Sequence, residues 1–455
     1  SGASVTDQRQ VDVPHRISGF TAACVLVSNV IGSGIFTTTG FLARDLGDAR
    51  TILALWLIGA LLALAGAMCY SELGAAFPQV GGDYVYLRQA YGPALGFLSG
   101  WASFTVGFGA AIAAAAVSFA AYLLQLALGA EPSLLVKALA VGLVWTLTLF
   151  HLGGVGPGGR LQRVLTVSKV GTILALVFGA ILVGHGDWAH LTGGSQGGTR
   201  TIGASAVGLV FVMYAYSGWN VAGYIAGEIA DPTRAIPRTM IGGTLFVGAV
   251  YLALNLVYFY ALPIAALAEA PLLPVVEKAA LALFGSAGAG VIVVMLCVSI
   301  AAAASAMIWA GPRVYYAMAR DGLFPRFFAA LGMKGGAPSR AILLQTGWAT
   351  VLILSGTFEQ LVIYSGLVLT AFSALTVGAV FVLRRRQPDL PRPYRVPLYP
   401  LLPCAYVAAS VLIVGYTLIE RPAESAWAAA TVLVGVPLYL LQKGRIRREV
   451  RNRTQ

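Results

Sequence analysis

Long apolar segments separated by short polar loops run along the whole chain, and this pattern limits the fold more than any other feature. Hydrophobic residues make up 58% of the 455 residues, and charged residues only 11%. A soluble domain carries about 25% charged residues, so this chain has too little polar surface to cover itself in water. Because about 20 apolar residues are enough for a helix to cross a bilayer, the pattern predicts an all-α, multi-pass membrane protein that contacts lipid.

We predict twelve transmembrane helices in this sequence. They cover residues 17–43, 51–76, 94–128, 134–152, 162–184, 202–228, 237–262, 286–316, 341–355, 358–383, 401–419 and 425–441. The third and eighth are long and the ninth is short, which indicates that some of these helices are tilted in the bilayer.

The distribution of basic residues supports this count. The formal net charge is +12, which in a soluble chain would suggest a nucleic-acid partner. Here 23 of the 30 lysines and arginines lie in the two tails and in the loops on the same side, whereas six lie on the other side. By the positive-inside rule, we expect both termini to be cytoplasmic. We also expect the chain to lie in the plasma (cell inner) membrane. We expect no nucleic acid to bind.

Several classes of function lack candidate residues. The four cysteines all lie in apolar segments and are expected to be buried free thiols, and no Cys/His spacing indicates a metal site. None of the four histidines pairs with an acid or a cysteine at ligand spacing within a predicted span. We therefore expect neither an enzyme nor a bound metal or cofactor.

Two of the predicted helices are interrupted by glycine and serine. The first contains Gly32-Ser33-Gly34, and the sixth contains Ser217-Gly218. If helices one to five and six to ten form two repeats, both interruptions fall in the first helix of a repeat. Paired interruptions of this kind indicate the binding site of a secondary transporter. The alternative is close helix packing, since the chain has 54 glycines and small residues commonly line helix contacts in membranes.

The chemistry of a broken helix suggests what would bind there. A break frees N–H groups at one new end and C=O groups at the other, which the membrane tolerates only where they line a cavity. The helix start after Ser33 favours a carboxylate. The helix end near 214–217 favours an ammonium group. Together they predict a zwitterionic substrate.

Four motifs resemble a known family. They are "NVIGSGIF" at 29–36, "YSELGAAFPQVGGDYVYLRQAYGP" at 70–93, "YAYSGWNVAGYIAGEIADPTRAIPR" at 214–238 and "ARDGLFP" at 319–325. In this order they are similar to the amino acid–polyamine–organocation superfamily, and most of all to its L-type and cationic amino acid transporter branches. The polar stretch at 81–92 corresponds to a short cytoplasmic element in that family.

The resemblance implies a LeuT-like fold, in which a 5+5 inverted repeat is followed by two further helices, and transport by alternating access. The organisation would be a cytoplasmic tail (1–16), the first repeat (17–184), the second repeat (202–383), a cytoplasmic linker (384–400), helices eleven and twelve (401–441) and a cytoplasmic tail (442–455).

The resemblance also implies the site residues. The substrate carboxylate would be held by the backbone of Ile31, Gly32, Ser33, Gly34 and Ile35, and the α-amine by the carbonyls of Tyr214, Ala215 and Ser217. Tyr214 stands where the family places an aromatic gate, commonly Phe.

Lys169 is an ionisable residue inside the fifth predicted span. In the family a lysine here takes the place of a sodium ion, and desolvation could give it a role in proton coupling. The alternative is a lysine whose ammonium reaches the headgroups.

Six further residues have two interpretations each. Glu72 and Glu228 are either proton sites or partners of a nearby arginine, such as Arg88 or Arg313. The amides of Asn29 and Asn220 either bind the substrate or hold freed backbone groups. The indoles of Trp219 and Trp309 either line the pocket or make packing contacts.

The predicted function is secondary transport of neutral amino acids, by proton symport or by exchange. No acidic residue lies near either interruption, which argues against the alternative of a cationic amino acid or polyamine substrate. A receptor built on a transporter fold is the alternative from another class. The loop "LGAEPS" at 128–133 lacks the cysteine through which animal L-type transporters link to a heavy chain, so no such partner is expected.

Overall fold

The computed structural model describes residues 17–192, 201–269, 274–332, 336–355 and 358–454. The predicted N-terminal tail, 1–16, lies outside these residues. Within them every regular element is a helix, and one isolated bridge joins Ile17 to Ile229. The expected all-α architecture is confirmed for the part of the chain that is described.

The α-helices within the described ranges are numbered in chain order. They are α1 (Gly19–Val30), α2 (Gly34–Leu46), α3 (Ala49–Ala76), α4 (Asp83–Tyr91), α5 (Pro93–Ala102), α6 (Gly109–Leu128), α7 (Ser133–His151), α8 (Val155–Val183), α9 (Ile202–Tyr216), α10 (Val221–Tyr224), α11 (Pro232–Ala261), α12 (Ile264–Ala268), α13 (Val275–Ala310), α14 (Pro312–Arg320), α15 (Ser339–Ser355), α16 (Phe358–Arg386), α17 (Leu401–Glu420) and α18 (Pro422–Thr454). A π-helical turn, Ser103–Phe108, joins α5 to α6.

Ten helical segments in the described ranges are long and apolar enough to cross a membrane. The two predicted spans outside this set form helices that are too short for it. The sixth is interrupted, so that α9 ends after 15 residues, and the ninth forms α15, which has 17 residues. The eighth predicted span begins at 286. The helix α13 begins earlier, at Val275, but Gly285 within it has a non-helical φ of 71°. The helix is therefore kinked immediately before the predicted start.

Small side chains allow the central helices to approach closely. The alanine-rich segment of α6 is buried, and α6 packs against α7, α13 and α15. The interrupted helices lie in the interior: α1 packs against α8, α11 and α13, while α9 packs against α2, α3, α16 and α17. Three of the cysteines are buried as expected, but Cys404 on α17 is exposed. Its side chain faces outward, which hydropathy along the sequence could not show.

The helix α4 follows α3 after a short glycine-containing turn, and it is the short element expected at 81–92. It is held by polar contacts to the segment after α14. Arg88 forms an ion pair with Asp321, and the Tyr84 hydroxyl donates to the same carboxylate at 2.6 Å. We call this end of the helix bundle the α4 end.

Candidate functional site

The first interruption leaves backbone donors free at the start of α2. The helix α1 ends at Val30, and the Gly32 N–H donates to the Val30 carbonyl at 2.8 Å. In the described part of the chain, no backbone carbonyl accepts from the N–H groups of Ser33, Gly34 or Ile35. These are the first-turn N–H groups of a helix, and such groups stabilise an anion that binds at the helix N-terminus.

The two interruptions touch at Gly34. A Cβ atom added to Gly34 would lie 2.7 Å from the Cα of Ala215 and 2.8 Å from its Cβ. Real Cβ atoms do not approach so closely, so only glycine allows α2 to begin here beside α9. At Gly32 the nearest atom to an added Cβ is the Ala303 Cβ, at 3.6 Å, which is ordinary contact.

The second interruption follows the end of α9 at Tyr216. Gly218 has a φ of 100°, a left-handed conformation that turns the chain into α10. The Ser217 N–H donates to the Tyr214 carbonyl at 2.9 Å, and no described residue donates to the Ser217 carbonyl. The Asn29 amide donates to the Gly218 carbonyl at 3.1 Å and so ties the two interruptions together.

The hydroxyl of Tyr251, on α11, lies between the two freed helix ends. It is 2.7 Å from the Val30 carbonyl and 3.0 Å from the Ala215 carbonyl. Because a hydroxyl carries a single proton, it can satisfy only one of these carbonyls at a time.

The carbonyl end of α1 has a resident cation. The Lys169 ammonium, buried on α8, donates to the Ser28 carbonyl at 3.0 Å and also to the Ile31 carbonyl. The structure therefore places Lys169 inside the protein, not at the headgroups. No lysine, arginine or histidine of the described residues donates to the carbonyls of 214–217 at the end of α9.

A small cavity lies between the two interruptions, beside their contact at Gly34. Its wall is formed by the first interruption with Asn29 and Val30, by α9 with Ser217, and by Ala111, Ala115 and Met307. No charged side chain is among these wall residues. Tyr214 is on the wall, and its hydroxyl lies near the Ser33 side chain.

Several predicted residues lie outside the cavity wall. The Trp219 ring packs edge-on against Tyr70 at a centroid distance of 4.7 Å. The Trp309 ring lies under the Arg313 guanidinium, 5.0 Å from its centroid. The structure places both indoles in packing contacts. Ile31 and Ile35 are fully buried, and the wall includes neither of them.

Both candidate glutamates form ion pairs. Glu228 accepts two hydrogen bonds from Arg313, at 2.7 and 2.9 Å, and the two side chains are buried.

Glu72 accepts two hydrogen bonds from Arg384, at 2.6 and 2.9 Å, and one from the Val396 N–H at 2.7 Å. The expected partner Arg88 is wrong for Glu72, because Arg88 reaches Asp321.

Asn220 makes a contact that differs from both roles considered for it, which were binding the substrate and holding freed backbone. Its amide donates to the Asp83 carboxylate at 3.2 Å, so it contacts α4 and not the cavity.

Two residues of this region, Asp83 and Tyr251, were not predicted from the sequence. Both carried a signal, since Tyr251 is a polar residue within an apolar span and Asp83 is an acid in a glycine-bounded turn. The alanines of α6 gave no such signal.

The chain is similar in sequence to a known family and to several known proteins. A family model described as amino acid permease matches residues 17–437. The serine/threonine exchanger SteT of Bacillus subtilis (strain 168) is 31% identical over 431 residues, which is 93% of this chain and 96% of the relative. The large neutral amino acids transporter small subunit 2 of Homo sapiens is 28% identical, covering 93% of this chain and 79% of the relative. The b(0,+)-type amino acid transporter 1 of Mus musculus is 25% identical, covering 96% and 89%.

Proposed function

Since this chain belongs to the amino acid permease family of the amino acid–polyamine–organocation superfamily, we propose that it is a secondary active transporter of neutral amino acids. The resemblance drawn from the four motifs is thereby confirmed at the level of the family. The relatives are transporters, which agrees with the expectation of a protein that catalyses no reaction.

One observation carries the proposal: two complementary helix ends face one cavity. Ser33 and Gly34 on the cavity wall offer spare N–H groups, and the end of α9 offers carbonyls that no cation of the described residues contacts. A carboxylate at the first and an ammonium at the second would satisfy both ends. The substrate carboxylate is thus assigned to residues 31–35, and the amine to the carbonyls of Tyr214, Ala215 and Ser217.

The cavity wall supports a neutral side chain on the substrate. A cationic amino acid or a polyamine needs a carboxylate near its distal ammonium, because an unpaired buried charge is costly. The residues that line this cavity include no carboxylate. The name of the Bacillus subtilis relative, a serine/threonine exchanger, agrees with a small neutral substrate.

Lys169 is assigned the place of a bound cation. Its ammonium contacts two carbonyls at the end of α1, where the partial negative charge of a helix end accumulates. Tyr214 is assigned as the gate, closing over the cavity through its contact with Ser33.

The proposed topology follows the sequence. It has twelve transmembrane helices, with repeats at 17–184 and 202–383, a linker at 384–400 and a final pair of helices at 401–441. The tails, 1–16 and 442–455, are cytoplasmic, and the protein works in the plasma (cell inner) membrane without a disulfide-linked heavy chain. Movement of the two repeats around the cavity would give alternating access.

Uptake of radiolabelled serine, alanine and leucine into proteoliposomes tests this function. We expect uptake above that of protein-free liposomes. Preloading with unlabelled substrate accelerates uptake by an exchanger, whereas an inward proton gradient drives a symporter. Binding of an amino acid without movement across the bilayer in either condition would overturn transport in favour of a receptor.

A further inference from the structure

Asp83 is a buried carboxylate that the proposed transport site does not use. It is the first residue of α4 and is 5% exposed. One carboxylate oxygen, Oδ2, accepts from the Tyr224 hydroxyl and from the Asn220 amide. The other, Oδ1, is buried and has no hydrogen-bond partner among the described residues.

The groups around Asp83 are uncharged. The hydroxyls of Tyr70 on α3 and Thr376 on α16 face its carboxylate, and Tyr86 on α4 and Tyr406 on α17 lie close to it. The hydroxyls of Tyr70, Tyr86 and Thr376 are buried, and no described residue lies at full hydrogen-bond geometry to them. Tyrosine hydroxyls keep their protons near neutral pH, with an ordinary pKa of about 10.

No cation of the described residues neutralises Asp83. Among the described residues, no lysine, arginine or histidine lies within ion-pair distance of it. The arginine on its own helix, Arg88, pairs with Asp321, and Arg384 of α16 pairs with Glu72 of α3. Glu72 and Glu228 are as deeply buried as Asp83, and each has an arginine.

A carboxyl group that is buried without a nearby cation is more stable when it is uncharged. Transfer of an unpaired carboxylate away from water is costly, and without a cation the carboxyl takes up a proton. We propose that Asp83 is a proton-binding site that holds its proton while Tyr224 and Asn220 pack against it, and releases it when they move away.

The contact between Asp83 and the second interruption gives this site its connection to transport. Ser217 lies on the cavity wall, and Asn220 and Tyr224 follow it along the chain by three and seven residues. The Tyr224 carbonyl also accepts from the Gly81 N–H at 3.2 Å. A Cβ on Gly82 would overlap the Tyr224 ring, so the turn before α4 fits that ring only as glycine. Movement of α10 therefore uncovers Asp83.

The direction of the pH effect follows from burial. Helix α4 lies outside the ten candidate spans, and burial raises the pKa of Asp83 above its ordinary value, opposed in part by the Tyr224 hydroxyl and the Asn220 amide that donate to it. The packed arrangement is therefore favoured at pH values below this raised pKa, and that advantage is lost as the pH rises through it. Alkaline pH would favour opening of the α4 end.

The inference rests on the proposed function for its role in transport, but proton binding itself can be tested without transport. Infrared difference spectra of the full chain in lipid vesicles, recorded while the pH is raised, report the C=O stretching band of a protonated carboxylic acid. We expect this band to decrease with rising pH in the natural chain, and the component that belongs to Asp83 to be missing in Asp83→Asn. The matched control, Asp321→Asn, changes an aspartate at the same end that is part-exposed and paired with Arg88, and should keep the band. A band that is absent from the natural chain, or unchanged in Asp83→Asn, would overturn the proposal.

Uptake by proteoliposomes at a series of pH values tests the coupling. The protonated fraction changes by up to about tenfold per pH unit away from the pKa. We expect a rate that varies with pH in the natural chain and in Asp321→Asn, and a flat profile in Asp83→Asn. Equal pH dependence in all three proteins would refute the coupling, whereas an absence of uptake by the natural chain would refute the proposed function and leave the infrared result standing.

Discussion

The two interrupted helices end in different surroundings, although the sequence breaks them in similar ways. At the end of α1, the carbonyls of Ser28 and Ile31 accept from the Lys169 ammonium. At the end of α9, the Ala215 carbonyl has only the shared hydroxyl of Tyr251, and the Ser217 carbonyl has no donor among the described residues. Among the described residues, one helix end contacts a cation of the chain and the other does not.

This difference shows how a single fold can use the same backbone feature for two purposes. The partial negative charge at a helix end attracts a cation wherever it is buried. The Lys169 ammonium contacts the carbonyls of the first end, and we propose that it serves structure there. The second end faces the cavity, and there we propose that the ammonium group of the substrate binds. Three changes would test this division.

Gly34→Ala should have the largest effect. Its Cβ would lie 2.7 Å from the Ala215 Cα and would push the two interruptions apart. Overpacking costs about 1–3 kcal/mol, which corresponds to roughly a five- to 150-fold loss of substrate affinity if the bound form carries the cost. Substrate-dependent thermal shifts would measure it.

The control for this change is Gly142→Ala on α7, where an added Cβ meets no atom of the described residues within 4 Å. It should retain binding and uptake. Equal affinity in Gly34→Ala and the natural chain would show that the close approach of the interruptions is not needed for binding.

Lys169→Met should have the next largest effect, because it makes the first helix end resemble the second. The two carbonyls at the end of α1 would lose their ammonium, and an unsatisfied buried acceptor costs about 1–3 kcal/mol. We expect a lower melting temperature that saturating substrate does not restore, together with uptake reduced about tenfold. Lys443→Met, on the surface of α18, serves as the control. Unchanged stability in Lys169→Met would mean that the resident ammonium has no structural role.

Tyr251→Phe should have the smallest effect, since it removes only the hydroxyl shared by the Val30 and Ala215 carbonyls. A hydrogen bond of this kind contributes about 0.5–1.5 kcal/mol, or roughly two- to tenfold in the dissociation constant. Titration with substrate would measure it. Tyr258→Phe, two helical turns further along α11, is the control, because no described residue bonds to the Tyr258 hydroxyl. A larger loss in the control would place the effect in packing and not in the shared hydroxyl.

The sequence by itself determined the membrane class, the positions of most helices and the two interruptions. Hydropathy is additive along the chain, and a segment such as α3 is recognisable without knowledge of its neighbours. Gly32-Ser33-Gly34 was identifiable for a similar reason, since glycine is unfavourable in any helix that has no use for it. The motifs around these positions also indicated the family.

Only the tertiary structure decided which charges meet. Glu72 and Asp83 are both acids near the end of a helix, yet one finds Arg384 more than 300 residues away and the other finds hydroxyls. Likewise, Lys169 in the fifth predicted span reaches the carbonyls of the first. Pairing depends on distances between helices that are far apart in the chain, and local sequence does not encode them. Whether a buried group keeps its charge is therefore decided by packing.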